Sequence, residues 1–191
     1  EKEGIPRMRQ GLATQRTMGA GIGRTRFLAL LAEGYEKGGH SEEGLAVVAE
    51  ALEIGNSTGE RYCESELYRL KGKLTLQKGA RDWGVGARDR THHRAGSTRQ
   101  KSKIPHARHF APGTHAEAEE CFLKGIDIAR KQQAKSLELR AAMSLARLWR
   151  NQDKKKEAHK LLAEIYGWFT EGFGTKDLQE AKMLLEELGG K

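Results

Sequence analysis

The chain has 191 residues, of which 37% are hydrophobic, enough for one or two packed domains. Three prolines, abundant Ala, Leu, Glu, Lys and Arg, and few β-branched runs favour helices over sheets and predict an all-α protein. The net charge is +8 at pH 7, and the absence of any uninterrupted apolar stretch of about 18 residues argues against a transmembrane helix or a membrane partner.

The same helical pattern begins four times along the sequence. Its starts are the small residues Gly4, Gly44, Ala118 and Ala158, and an apolar or small residue recurs four, seven and eight positions after each of them. This spacing describes one face of an α-helix. The starts are separated by 40, 74 and 40 residues. Repeat periods of about 20–50 residues are typical of helical arrays that present a surface to a partner.

A second apolar stripe precedes the last three starts. Its members are Leu28, Leu31, Ala32 and Tyr35; Leu67, Leu70 and Leu74; and Ala142, Leu145, Ala146 and Trp149. Each stripe predicts a helix that pairs with the next one, because neither helix could bury its apolar face alone. We therefore expect an α-solenoid of antiparallel helix pairs, preceded by half a pair.

The segment from Gly79 to Gly113 interrupts this pattern. It holds five glycines, two of the three prolines and four of the seven histidines, and it carries eight Lys or Arg against two Asp. Such a composition buries too little surface to offset its ordering entropy, so we expect a long disordered basic insert over residues 79–114. A shifted reading frame between two compensating frame errors is the alternative, which the coding DNA read in all three frames would test.

The insert divides the chain into two repeat regions. Residues 1–78 hold a half repeat, a full repeat and the first helix of the next, while residues 115–191 hold further repeats and a final helix. That final helix follows Thr175, a candidate N-cap, and extends to about Leu188 with one apolar and one charged side. We expect it to be a capping helix of the solenoid.

The alternation of small and large residues across two helices resembles the tetratricopeptide repeat in its longer form of roughly 40 residues. Five stretches resemble, more specifically, the C-terminal repeat region of large bacterial signalling proteins: residues 44–46, 66–72, 116–122, 133–140 and 165–173. The resemblance extends from about Gly4 to Lys78 and from His115 to Leu188, and the insert has no counterpart in it. It implies a right-handed tetratricopeptide-like solenoid in a protein that also carries an adenylate cyclase-type or DNA-binding domain and an ATPase module.

Three further features could indicate a phosphate-binding loop, a zinc site or nucleic-acid binding, and each indication is weak. The glycine-rich residues 19–25 lack the spacing and the lysine of a phosphate-binding loop. Five histidines have no spacing that would fix a zinc site: His92, His93, His106, His109 and His115. The basic insert has one Trp and one Phe for base stacking, so nucleic acid is not an expected partner. We predict no catalytic residue, metal or cofactor.

The candidate functional residues lie on the first helix of each pair, which lines the concave face of tetratricopeptide arrays. The positions expected to face it are Arg26, Ala29, Glu33 and Glu36; Ser65, Tyr68, Gly72 and Thr75; and Arg140, Met143, Arg147 and Arg150. Three arginines along one stripe could clamp a carboxylate or phosphate of a partner, against the alternative of an ordinary solvated face. The partner-binding candidates are Arg140, Met143, Arg147, Arg150 and Tyr68.

The sequence thus predicts a non-catalytic helical-repeat scaffold that binds a protein, a peptide or another domain of the same polypeptide. Cys63 and Cys121 each fall within a helical pattern, and buried reduced thiols there suggest a cytoplasmic protein. Because the chain begins with Glu1 and half a repeat, we expect it to be a fragment. Two alternatives remain open: a parent that is an adenylate cyclase or ATPase, and a parent that is a DNA-binding transcriptional regulator.

Overall fold

The computed structural model describes residues 4–17, 23–92 and 113–190, with the side chains of residues 16 and 83–92 excepted. Within these ranges the chain forms eight α-helices and no strand, which confirms the all-α prediction. The helices are α1 (Gly4–Thr17), α2 (Arg24–Gly38), α3 (Ser41–Thr58), α4 (Glu64–His92), α5 (Thr114–Lys131), α6 (Lys135–Asn151), α7 (Lys155–Tyr166) and α8 (Lys176–Leu188). None of the helices in the described ranges is both long and apolar enough to cross a bilayer.

Each helix packs against its neighbour in the chain, and alternate helices pack against one another as well. The additional contacts join α2 to α4, α4 to α6 and α6 to α8. Tight turns make this possible because a residue in the left-handed region ends one helix and redirects the chain. Gly39 has this conformation after α2, with φ at +78°, and Gln133 and Asp153 adopt it after α5 and α6.

The apolar stripes predicted from the sequence form the buried interior. One cluster joins α2, α3 and α4 through residues that include Leu28, Val48 and Leu70. A second joins α5 to α8 and includes Phe122 and Leu162, both about 1% exposed or less. Burial of this kind contributes roughly 1.5–3 kcal/mol for each large apolar side chain, so the stripes account for much of the stability of the fold.

Small residues lie where the helices approach most closely. A methyl group added to Gly44 would lie 2.6 Å from Leu74 Cδ2, and one added to Gly125 would lie 3.1 Å from the carbonyl oxygen of Ser65. Two further repeat starts, Ala118 and Ala158, are fully buried. The small positions at Gly44, Ala118, Gly125 and Ala158 therefore set the spacing between helices, whereas a methyl group added to Gly4 or Gly11 would meet nothing within 4 Å.

Helix α4 differs from the sequence-based expectation. We predicted that helical structure would stop near Lys78, but the helix continues to His92. The packing of α4 against α5 also continues beyond Lys78, because a methyl group at Gly79 would collide with the buried side chain of Thr114 at the start of α5. Residues 79–92 of the expected insert therefore belong to α4, and residues 93–112 lie outside the described residues.

Side chains from other parts of the chain hold both ends of α2. The carboxylate of Glu60 accepts hydrogen bonds from the Gly23 N–H at 2.9 Å and from the Thr25 hydroxyl at 3.2 Å. At the other end, Gln77 donates to the Glu36 carbonyl at 2.9 Å and Arg81 donates to the Gly39 carbonyl at 3.1 Å. These bonds satisfy backbone groups that a helix leaves unpaired at its ends.

One acidic side chain lies inside the packed part of α6. Glu138 is 2% exposed, and its carboxylate accepts hydrogen bonds from Arg130 Nε at 2.7 Å and Lys135 Nζ at 2.8 Å. Burial would raise the pKa of Glu138, but the hydrogen bonds and charges of these two cations outweigh it and lower the pKa below 4.5. The ionised carboxylate therefore joins the end of α5 to the start of α6.

The last helix, α8, is amphipathic as predicted. Leu178, Ala181, Leu184 and Leu188 are buried. Thr175 precedes the helix, but its hydroxyl donates to the Gly172 carbonyl at 2.8 Å and makes no capping hydrogen bond to α8. Three acidic residues of α8, Asp177, Glu180 and Glu187, lie close to arginines of α6.

Candidate functional site

The arginine stripe predicted on α6 lies along a groove built from alternate helices. Arg140, Met143 and Arg147 line this groove together, and Arg150 lies one turn further along the same helix. Met143 is 3% exposed, whereas the side chains of Arg140 and Arg147 are 30% and 42% exposed. The structure therefore brings the three groove residues together, with the two guanidinium groups accessible.

Four helices contribute to this surface, which we call the charged groove. It is lined by Glu33, Glu36 and Lys37 of α2; Arg69 and Lys73 of α4; Arg140, Met143, Ser144 and Arg147 of α6; and Lys176, Asp177 and Glu180 of α8. Ten of these twelve side chains are ionisable, so polar and ionic contacts dominate the chemistry of the groove.

A buried ion cluster joins α4 to α6 in this region. Arg69 donates two hydrogen bonds to the carboxylate of Glu66, at 2.7 and 2.8 Å, and Arg140 Nη2 lies 3.0 Å from the same carboxylate. Burial opposes ionisation of Arg69, but the hydrogen bonds and charge of Glu66, together with Glu33 and Glu36, raise its pKa. Glu66 therefore holds two guanidinium groups in fixed positions.

Helix α8 supplies the other partners of the arginine stripe. Arg147 Nη2 lies 2.9 Å from Glu180, and Arg150 Nη1 lies 2.6 Å from Glu187. Arg140 Nε is 3.9 Å from Asp177. The sequence had suggested guanidinium groups open to a partner, but each one is paired within the chain. A partner carboxylate would therefore share or replace an existing ion pair.

On the opposite side of the groove, α2 presents two carboxylates. Glu33 pairs with Lys37 at 2.9 Å, and Glu36 pairs with Lys73 of α4 at 2.7 Å. Burial raises the pKa of Glu33, but its hydrogen bond to Lys37 and the charges of Lys37, Arg140 and Arg69 lower it overall. Arginines of α4 and α6 thus act electrostatically on a carboxylate of α2, so these charges form one connected system.

The residues of α4 predicted to face a partner do not line the charged groove. Ser65 donates to the Gly125 carbonyl at 2.8 Å, and Gly72 packs against the ring of Phe122, so the predicted stripe faces α5. Tyr68 lies on that side too, with Lys124 Nζ 4.4 Å from the centre of its ring. The α4 residues that line the groove are Arg69 and Lys73, each one position after a predicted residue.

This difference has a simple geometric cause. Successive residues of an α-helix point about 100° apart, so a shift of one position moves a side chain to a different face. The predicted face followed from the place of the first helix of each pair in tetratricopeptide arrays. The charged residues Glu66, Arg69 and Lys73, at intervals of three and four, were the signal that could have located the groove face. On α2, Glu33 and Glu36 do line the groove as predicted, whereas Ala29 is buried.

The comparisons with known proteins find neither a family model nor a curated protein that matches this chain.

The remaining sequence features add no second site within the described residues. Of the glycine-rich stretch, Gly23 adjoins the start of α2 and residues 19–22 lie outside those residues, as do His93, His106 and His109. No three His, Cys, Asp or Glu residues are grouped to hold a metal ion in the part of the chain that is described. Cys63 and Cys121 are half-buried thiols, and burial raises the pKa of both.

Proposed function

We propose that this chain is a non-catalytic helical-repeat scaffold whose charged groove binds a segment of another protein or of another domain. In this proposal the helices form a right-handed tetratricopeptide-like α-solenoid. The contacts between neighbouring and alternate helices support it, as do the small residues at the closest helix approaches. The resemblance of the repeats favours a cytoplasmic bacterial signalling protein as the setting.

One observation carries the proposal. Every second helix from α2 to α8 contributes charged side chains to a single groove, although these residues are distributed over more than 140 positions of the sequence. Except for Arg69, which is buried, their carboxylates and guanidinium groups are part-exposed, and such exposed pairs contribute about 0–1 kcal/mol each. Exchange of these pairs for equivalent pairs with a partner therefore has a low energetic cost.

Photo-crosslinking from two positions of α8 tests the proposal. Lys176 lies at the groove and its side chain is 88% exposed, whereas Met183 is 60% exposed and lies outside the groove. A photoreactive amino acid at position 176, in cells of the source organism, should give a discrete crosslinked partner that position 183 does not give. Arg147→Glu should remove that product, because it reverses a groove charge.

Equal crosslinking from both positions, or a product that persists in Arg147→Glu, would contradict binding at the groove. Circular dichroism of the variant provides the control for folding.

A further inference from the structure

The charges of the groove follow an order across the four helices. The wall formed by α2 is acidic, with Glu33 and Glu36, and the wall formed by α8 is acidic, with Asp177 and Glu180. Between them, α4 contributes Arg69 and Lys73, and α6 contributes Arg140 and Arg147. The contacts between alternate helices place them in the order α2, α4, α6, α8. From wall to wall, the groove is therefore acidic, basic, basic and acidic.

Two lysines that line the groove do not alter this order. Lys37 pairs with Glu33 on its own helix, and its side chain is 63% exposed. Lys176 lies 3.8 Å from Glu180 on α8, and its side chain is 88% exposed. Both ammonium groups therefore lie near solvent, where water weakens their effect on a ligand in the groove.

We propose that the charged groove binds an extended peptide segment whose own charges run basic, acidic, acidic, basic. The inference rests on the proposed function and adds the chemistry of the partner. Acidic side chains at the centre of the segment would accept hydrogen bonds from Arg140 and Arg147, whose guanidinium groups each carry five donors. Basic side chains at its two ends would pair with the acidic walls.

Order of charge distinguishes this partner from a simple polyanion. A uniformly acidic segment, or a nucleic acid backbone, would place negative charge against Glu33 and Glu36 on one side and Glu180 on the other. Like charges in close contact are unfavourable, and exclusion of wrong partners by such contacts is a common source of specificity. The acidic walls therefore select against ligands of uniform negative charge.

The distance between neighbouring helices of the groove sets the length of the peptide segment that it would bind. Packed helices lie about 8–10 Å apart, and an extended chain advances about 3.3–3.6 Å per residue. One charge every three residues would thus match one charge per helix, and four charges would need about ten residues.

The test compares three synthetic peptides of about ten residues with two serines between successive charges. The first has the order Lys, Glu, Glu, Lys, and the second has the inverted order Glu, Lys, Lys, Glu, so that both are net neutral. The third has Glu at all four positions. Fluorescence anisotropy with the full chain should give at least tenfold tighter binding of the first peptide than of either other peptide.

Two groove variants and one control locate the binding. Arg147→Gln and Lys73→Gln should each weaken binding of the first peptide at least fivefold, because each removes a central positive charge. Lys182→Gln, at an exposed position of α8 outside the groove, should leave it unchanged. Equal affinity for the first two peptides, tighter binding of the all-Glu peptide, or unchanged binding in both groove variants would overturn the inference.

The two proposals fail in different ways. A groove-specific crosslink from position 176, combined with no preference among the peptides, would retain the proposed function and remove the charge order. Loss of both the crosslink and the peptide preference would contradict the proposed function as well as the charge order.

Discussion

The two faces of α4 differ in what holds them in place. On one face, Ser65 and Gly72 lie against α5 with almost no free space, and the ring of Phe122 fills the gap. On the other, Glu66 pairs with Arg69 of the same helix and with Arg140 of α6, and Lys73 pairs with Glu36 of α2. The first face is specified by shape and the second by charge. A single helix thus combines a face held by close packing with a face held by ion pairs.

Of the changes predicted below, removal of the Phe122 ring between α4 and α5 should lower the free energy of unfolding most. Phe122→Ala should lower the free energy of unfolding by about 3–5 kcal/mol, because it leaves a cavity between α4 and α5. Leu123→Ala, at the next position and 46% exposed, should change it by about 0.5 kcal/mol or less. Urea unfolding measures both, and similar values for the two variants would contradict the contrast between packed and exposed positions.

The charged face also contains the buried ion pair of Glu66 and Arg69. Loss of the Glu66 charge should cause the next largest fall in the free energy of unfolding. Glu66→Gln should cost about 3 kcal/mol, since it leaves the buried guanidinium of Arg69 without a counter-charge. Glu53→Gln, at an exposed position of α3, serves as the control and should stay within about 0.5 kcal/mol. A loss below about 1 kcal/mol for Glu66→Gln would show that the cluster is solvated.

A pair of glycine variants separates backbone propensity from packing. Gly72→Ala should destabilise the protein by about 1–3 kcal/mol, because the new methyl group would lie 2.5 Å from Phe122 Cε1. Gly11→Ala, within α1 and with no atom inside 4 Å of the new methyl group, should instead gain up to about 1 kcal/mol from helix propensity. Thermal unfolding of both variants measures the difference, and a gain in both would contradict the close approach of α4 to α5.

The smallest change in stability should come from the protonation of Glu138 as the pH falls. The lowered pKa of Glu138 stabilises the folded state above pH 4.5, and this contribution is lost as pH falls through the folded-state value. The wild-type chain should therefore lose more stability between pH 6 and pH 3 than Glu138→Gln does. Arg130→Gln should reduce the loss as well, because it removes one cause of the lowered pKa. An identical pH dependence in all three proteins would contradict the ion pairs at Glu138.

The sequence was sufficient for the features that depend on apolar periodicity. The stripes at Leu28, Phe122 and Leu162 became buried core because neither helix of a pair can leave such a face in water. The continuation of α4 to His92 was missed because its three glycines, Gly79, Gly84 and Gly86, lower helix propensity but do not forbid a helix. The internal partners of Arg147 and Arg150 were also missed, since they depend on the rotation of α8 against α6, which no spacing within one helix reveals.

The hydrogen bonds at the ends of α2 have a consequence for local opening. The ends of a helix normally exchange their amide hydrogens through fraying, with little help from the rest of the molecule. Here the Gly23 N–H is held by Glu60, the Glu36 carbonyl is held by Gln77, and the carbonyl of Gly39, directly after α2, is held by Arg81. Opening of either end of α2 therefore breaks hydrogen bonds to α4 or to the loop before it. The exchange rate at Gly23 reports on the attachment of that loop rather than on α2 alone.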